Sequence, residues 1–146
     1  MACDAHPQAA EYVAATRDEV LHSVAHGTSE EHAAGNALNN LGPDAPQTQQ
    51  WIDDFKALDL AGYVGAVEAL VGRPDLRGEL GTIDVPVLVI RGELDQWVPA
   101  ETVDEMVDLL PDATLVTIPG GWHTVSVTHG DQVSAAMQEF LITLAP

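Results

Sequence analysis

An aspartate and a histidine follow two apolar runs of the chain at equivalent places. Asp95 comes after the run Val85–Ile90, and His123 comes after the run Ala113–Ile118. If both runs are parallel strands, their carboxyl ends meet at one edge of a sheet, where the two side chains can approach each other. A carboxylate that accepts a hydrogen bond from an imidazole fixes its tautomer and stabilises its protonated form. The pair would supply the acid–base half of a catalytic triad.

Each of these residues also has a purely structural interpretation. Asp95 could cap a turn, which is the usual role of an aspartate after a strand, and His123 could be an ordinary surface histidine. Their joint placement in two strand-end loops favours the catalytic interpretation. Trp97 and Trp122 flank the pair and either line an apolar substrate pocket or pack inside the protein. Glu93 is predicted to be solvated rather than catalytic.

A second group of residues resembles a metal site in spacing only. His22 and His26 are four residues apart on a predicted helix, so both imidazoles would share one face. Further acidic and histidine side chains follow at Glu30, Glu31 and His32. No His-Glu-x-x-His arrangement exists, and Gly27 ends the predicted helix. We therefore predict an exposed histidine pair and no metal.

The second half of the chain, residues 82–146, alternates apolar runs with helical spacing. Val85–Ile90 is apolar throughout and predicts a strand buried on both faces, and Ala113–Ile118 predicts a second strand. Helices are predicted between and after them, from the apolar positions Val103, Met106, Val107 and Leu110, and then Val133, Ala136, Met137, Phe140, Leu141 and Leu144. This order predicts a β-α-β-α unit whose two parallel strands are joined by a right-handed crossover.

The first half, residues 1–81, has helical periodicity and no strand pattern. Four helices are predicted, the first over Gln8–His26. The second begins at a capping box, Thr28–Glu31, and stops at Gly42-Pro43. The third carries Trp51, Ile52 and Phe55, and the fourth has Asp59 as its N-cap and Leu60, Val64, Val67 and Val71 on one face. These apolar faces predict core packing and no ligand.

The composition excludes several classes of function. The 146 residues hold 5 Lys+Arg against 23 Asp+Glu, a formal net charge of −18, spread over both halves. A surface so poor in cations is not expected to bind nucleic acid or an anionic membrane. Cys3 is the only cysteine, so an internal disulfide cannot form. No apolar stretch approaches the ~20 residues of a membrane span, and no targeting signal is evident, so a cytoplasmic location is expected.

The motifs of the second half resemble the C-terminal part of α/β-hydrolases. In that family the acid lies in a Gly-x-x-Asp-x-x-x-Pro loop, which Gly92, Asp95 and Pro99 match, and the base is the histidine after the last strand, which His123 matches. The helical first half resembles the cap of members similar to 3-oxoadipate enol-lactonase and related esterases. The resemblance implies an incomplete α/β-hydrolase fold, with a helical cap over residues 1–81 and a β-α-β-α part of the core over residues 82–146.

The function implied by this resemblance is hydrolysis of a carboxylic ester or lactone by a Ser-Asp-His triad, with no cofactor. The family places its serine in a Gly-x-Ser-x-Gly elbow before the cap, and that motif is absent here. Cys3 is a nucleophile by chemistry but precedes a cap rather than the helix of an elbow. Trp122 replaces the usual glycine before the histidine, and Thr128 stands where many members have Glu. The chain alone is therefore expected to be inactive.

A non-catalytic binding or assembly module is the alternative. Two parallel strands are marginal by themselves, and an apolar strand such as Val85–Ile90 would present an unpaired edge. A second copy of the chain, or a complementing N-terminal part, would cover that edge.

Overall fold

The structure is a computed structural model of the chain. It describes residues 28–145 and, before them, residues 18, 21, 22 and 26. Most of the predicted first helix, Gln8–His26, lies outside the described residues, as does Cys3. The described chain divides between two compact units, one made of residues up to Ala37 with Gln47–Leu76, the other of Leu38–Pro46 with residues 77 onward.

The first unit is helical, as the periodicity predicts. It holds most of α1 (Glu30–Leu41), together with α2 (Thr48–Lys56) and α3 (Leu60–Val71). A core cluster is formed by Ala33, Ala37, Ile52 and Phe55, with Trp51 and Tyr63 packed against it. The rings of Phe55 and Tyr63 meet edge to face, with their centroids 5.5 Å apart. The small side chains of Ala33 and Ala37 on α1 leave room for these aromatic rings, so side-chain packing holds the unit together.

The capping signals are correct for one helix and displaced by one residue for another. The Asp59 carboxylate accepts a hydrogen bond from the Gly62 backbone N–H at 3.3 Å, which confirms it as a cap of α3. For α1 the predicted box at Thr28–Glu31 is wrong, because the Ser29 hydroxyl accepts the hydrogen bond, from the His32 backbone N–H at 3.1 Å. Either hydroxyl suits the role, so sequence pattern alone does not distinguish them.

The second unit confirms the β-α-β-α order. After the short helix α4 (Arg77–Leu80) come β1 (Val87–Gly92), α5 (Ala100–Leu109), β2 (Ala113–Ile118), another short helix, α6 (Val125–Thr128), and α7 (Gly130–Thr143). The short helices α4 and α6 were not predicted, because four residues carry no periodicity. The Arg77 guanidinium of α4 bonds the Glu105 carboxylate of α5 at 3.1 Å.

The sheet has two parallel strands within the described residues. Their register runs from Val87 opposite Ala113 to Gly92 opposite Ile118. The first strand begins two residues later than predicted because Pro86 has no N–H, and the ladder starts with the Val87 N–H donating to the Asp112 carbonyl at 2.8 Å. The strand ends at Gly92, opposite Ile118, so the loop that follows it begins beside the end of β2.

The first strand is less buried than its composition predicts. Val87–Ile90 are half-buried, and Val85, ahead of the strand, is 57% exposed. An open cleft lies between β1 and α7, lined by Leu88, Ile90, Met137, Phe140 and Leu141. The prediction of a strand buried on both faces is therefore wrong for the described chain, where β2 is the only strand that pairs with β1. None of the described helices is long and apolar enough to cross a membrane.

Candidate active site

The loop that carries His123, residues 119–124 and here called the histidine loop, begins with a tight turn at the end of β2. The Gly121 N–H donates to the Ile118 carbonyl at 3.1 Å, and Gly120 between them has φ +68°. Proline at the second position and a positive φ at the third are the features of a type II β-turn. Glycine adopts this backbone without strain, so the Pro119-Gly120 pair specifies the turn that reverses the chain toward His123.

The loop that carries Asp95, residues 92–99 and here called the acid loop, contacts the histidine loop at Gly92. A Cβ atom on Gly92 would overlap the carbonyl oxygens of Gly121 and Trp122. Only glycine fits this close approach, which gives a physical reason for the first position of the Gly-x-x-Asp pattern. The two loops are therefore in contact through their backbones as well as through the side chains of Asp95 and His123.

Three hydrogen bonds join the loops beyond that contact. The Glu93 N–H donates to the Ile118 carbonyl at 3.0 Å, and the Leu94 N–H donates to the Gly121 carbonyl at 2.8 Å. In return the Gly120 N–H donates to the Glu93 carboxylate at 2.8 Å. Two adjacent residues of one strand end, Glu93 and Leu94, are therefore bonded to the turn that precedes His123, which fixes the position of Asp95 relative to His123.

Asp95 uses both of its carboxylate oxygens. Its Oδ1 accepts hydrogen bonds from the backbone N–H groups of Trp97, at 2.9 Å, and Val98, at 3.2 Å. Its Oδ2 is 2.9 Å from the Nδ1 of His123, and only 8% of the Asp95 side chain is exposed. Turn capping and histidine binding, two roles that the sequence left as alternatives, are thus performed together by one carboxylate.

The second ring nitrogen of His123, Nε2, lies on the side of the ring away from Asp95. Because the Asp95 carboxylate can only accept, Nδ1 carries the proton and Nε2 of the neutral ring is a base. Nε2 makes no hydrogen bond within the described residues, and 29% of the side chain is exposed. The next residue fixes the backbone, since the N–H and hydroxyl of Thr124 both donate to the Asn40 carbonyl, at 2.9 and 2.8 Å.

The two flanking tryptophans differ in their surroundings. The Trp97 ring centroid lies 6.2 Å from that of His123, with the planes inclined by 49°. Trp122 packs on Gly42, whose φ is +90° and whose added Cβ would overlap the indole. Trp122 therefore packs against the loop after α1, and Trp97 is the one beside the histidine ring. Their predicted role in lining a substrate pocket stays a prediction.

The structure adds contacts that the sequence pattern does not reveal. Glu93 is exposed, as predicted, but its carboxylate is bonded to Gly120. A usable signal was present, because a type II turn at Pro119-Gly120 directs one backbone N–H outward and an acid nearby can accept it. Nothing in the sequence indicates that Asn40, in the helical half, binds Thr124.

The histidine pair on the first unit makes a local contact. The His22 and His26 rings are stacked with centroids 4.4 Å apart, and the Nδ1 of His26 lies 3.1 Å from the His22 carbonyl oxygen. Over the described part of the chain, no group of three or more His, Cys, Asp or Glu side chains is arranged to hold a metal ion.

Residues 69–145, more than half of the chain, match the sequence model of the TAP-like protein family. The chain belongs to this α/β-hydrolase family. A pimeloyl-[acyl-carrier protein] methyl ester esterase of Xanthomonas oryzae pv. oryzae is 40% identical over 76 residues, which are 52% of this chain and 30% of that protein. The residues that match the family model include both Asp95 and His123.

Solved structures of α/β-hydrolases have the same fold. A hydrolase from Pseudomonas aeruginosa matches with a TM-score of 0.72 and 26% identity, over 88% of this chain and 50% of that one. An enol-lactonase from Burkholderia xenovorans matches with a TM-score of 0.70 and 21% identity, over 86% of this chain and 49% of that one. The chain thus spans about half the length of these hydrolases. The predicted fold class, a partial α/β-hydrolase fold, is confirmed.

Proposed function

We propose that Asp95 and His123 are the acid and the base of a carboxylic ester or lactone hydrolase. The observation that carries this proposal is the 2.9 Å contact between Asp95 Oδ2 and His123 Nδ1, made by loops that leave two adjacent parallel strands. Family membership and the similarity to an esterase and an enol-lactonase support the reaction class.

In this mechanism His123 moves one proton in each direction. Its Nε2 takes the proton of a serine hydroxyl as the oxygen attacks the substrate carbonyl, and the buried Asp95 carboxylate stabilises the imidazolium that forms. The same nitrogen then gives the proton to the departing alkoxide, leaving an acyl-enzyme. Water, deprotonated by His123 in turn, releases the acid and restores the serine. No step requires a cofactor.

The nucleophile in this proposal comes from a segment other than these 146 residues, which hold no Gly-x-Ser-x-Gly. The outer edge of β1 is a suitable place for such a segment. Since the Val87 N–H points toward β2, the alternate residues Leu88 and Ile90 direct their backbone groups to the opposite edge. A further strand there would hydrogen-bond these groups and cover the apolar cleft beside α7. The segment belongs either to a longer chain or to a partner.

The test joins the N-terminal half of the Pseudomonas aeruginosa hydrolase, which this chain does not cover, ahead of Met1. Hydrolysis of p-nitrophenyl esters, a methyl ester and an enol-lactone is then measured beside the chain alone. We expect turnover and labelling by a fluorophosphonate in the joined protein only. His123→Ala and Asp95→Asn should each lower kcat by roughly 10³- to 10⁴-fold, the effect of losing a triad member.

Matched controls keep the assignment specific. His22→Ala removes an exposed histidine of the first unit, and Asp131→Asn removes an exposed acid of α7; both should leave kcat unchanged. A folded, active joined protein that tolerates His123→Ala would contradict the proposed base. Hydrolysis by the unjoined chain that disappears in His123→Ala would show that the nucleophile is within these residues.

A binding or assembly module without catalysis is the second candidate, favoured by the apolar surface that β1 and α7 leave uncovered. Leu141 and Ile142 of α7 are 60% and 73% exposed. Sedimentation of the purified chain distinguishes the two. A stable dimer supports the module, whereas aggregation, relieved when the N-terminal half is joined, supports the hydrolase.

A further inference from the structure

Glu93 is placed to control the histidine loop from the neighbouring strand end. Its backbone N–H donates to the carbonyl of Ile118, the first residue of the type II turn, at 3.0 Å. Its carboxylate accepts from the N–H of Gly120, the third residue of that turn, at 2.8 Å. One residue thus holds the turn at two points, on both sides of its central peptide bond.

The second of these bonds selects between two forms of the turn. Type I and type II turns differ by a flip of the peptide between the second and third residues, here Pro119 and Gly120. Gly120 tolerates both, because glycine has no Cβ to exclude either sign of φ. The flip would turn the Gly120 N–H away from Glu93 and forfeit a charge-assisted hydrogen bond. The carboxylate therefore stabilises the form in which φ of Gly120 is +68°.

The turn leads directly into the segment that carries His123. Gly121, its last residue, offers its carbonyl to the Leu94 N–H at 2.8 Å, and His123 is two residues further on. The flip itself leaves Ile118 and Gly121 almost in place, but loss of the Glu93 carboxylate removes one of the three hydrogen bonds that hold the two loops together. We expect the loop that carries His123 to move more freely and the His123 ring to lie farther from Asp95 on average. The hydrogen bond at 2.9 Å favours the tautomer that carries its proton on Nδ1, because the carboxylate can only accept.

We propose that Glu93 is a positioning residue, which holds the Pro119-Gly120 turn in its type II form and against the neighbouring loop, so that His123 keeps its proton on Nδ1 and its bond to Asp95. Its catalytic consequence rests on the proposed function, but the tautomer of His123 is a property of the chain itself. In this proposal Glu93 acts on His123 through its hydrogen bond to Gly120.

The experiment compares Glu93→Met, Glu93→Gln and the matched control Glu139→Met in the full chain. Two-bond ¹H–¹⁵N spectra of the histidine rings report which nitrogen of His123 carries the proton. Glu93→Met should lower the ratio of the Nδ1–H to the Nε2–H form about fivefold, as expected for loss of one exposed charge-assisted bond. Glu93→Gln retains an acceptor oxygen and should stay within about twofold of wild type, and Glu139→Met, on α7, should match wild type.

Hydrogen exchange of the Gly120 amide supplies a second readout. It should accelerate about fivefold in Glu93→Met and about twofold in Glu93→Gln, where the bond loses its charge. If Glu93→Met does not fold, the Gly120 exchange rate in Glu93→Gln decides. A wild-type tautomer ratio in folded Glu93→Met, or an unchanged Gly120 exchange rate in Glu93→Gln, overturns the role of Glu93.

Kinetics of the joined protein separate this inference from the proposed function. If Glu93 positions the base, Glu93→Met lowers kcat about fivefold with KM unchanged, and Glu93→Gln recovers most of the loss. Absence of ester hydrolysis in the folded joined protein would remove the proposed reaction. It would leave the tautomer measurements, and the role they assign to Glu93, unaffected.

Discussion

The two strand-end loops and the sheet that carries them differ in how many of their polar groups and apolar side chains have a partner within the described chain. In the loops, Gly120 is hydrogen-bonded to Glu93 and His123 to Asp95, and Gly92 is in backbone contact with the neighbouring loop. The outer edge of β1 and the exposed face of α7 have no such partners in the described chain. The contact between Asp95 and His123 is thus held by bonds within the chain, whereas the apolar surface of β1 and α7 remains open to solvent.

Gly92→Ala should disrupt the contact between the two loops, and we expect it to have the largest effect on stability among these variants. The added methyl meets two carbonyl oxygens of the backbone rather than a mobile side chain, so the loops must separate. We expect the free energy of unfolding to fall by about 3 kcal/mol, measured by urea denaturation. Gly78→Ala in α4, where a Cβ meets nothing within 4 Å, is the control and should change stability little. Equal losses in the two variants would contradict a specific clash at Gly92.

A pair of matched truncations sharpens the contrast within the sheet. Ile118, at the end of β2, is 2% exposed, whereas Ile90 on β1 is half-buried beside the open cleft. Ile118→Ala should cost about 3 kcal/mol and Ile90→Ala about 1 kcal/mol, since the cost grows with the cavity left behind. If a further strand covers β1 in the joined protein, the cost of Ile90→Ala should rise there. Similar costs in the chain alone would show that β1 is already covered.

The smallest expected effect concerns an exposed ion pair of the first unit. The hydrogen bond from Lys56 to the Glu30 carboxylate, with the charges of Glu30 and Asp53, raises the pKa of Lys56 above its ordinary 10.5. A raised pKa in the folded state contributes stability at pH values below 10.5 and loses it as the pH rises through the folded pKa. The stability difference between wild type and Lys56→Met should therefore be small at neutral pH and vanish at strongly alkaline pH in denaturation titrations. A difference that grows with pH would contradict this sign.

Local signals predicted the elements well and their ends less well. The run Ala113–Ile118 was predicted with its observed bounds, because Pro111-Asp112 and Pro119-Gly120 delimit it on both sides. The first strand was shifted by two residues because Pro86, although apolar, cannot donate to the ladder. The boundary between cap and core was predicted at residue 81, whereas the compact units assign Leu38–Pro46 to the same unit as the sheet.

The candidate site was predictable where a motif carried it and not where contacts span long distances in sequence. Asp95 and His123 were identified from their places after two strands, and the structure brings them together. The Glu93 contact joins residues 27 apart in sequence, and its donor is a backbone N–H, which no side-chain pattern reveals. Burial of β1 was overestimated, since an apolar strand does not itself indicate whether its neighbour is present.

The Asn40 carbonyl, which accepts both hydrogen bonds of Thr124, has a consequence for folding. The two residues are 84 apart in sequence, far more than the strands or the two loops that follow them. Contacts of such separation form late, because the entropy of closing the intervening loop must be offset by structure already made. We therefore expect the backbone beside His123 to reach its final position only after the segment that carries Asn40 has docked. We expect denaturing stress to release this contact early, so that the geometry of the Asp95–His123 pair is lost while the sheet persists.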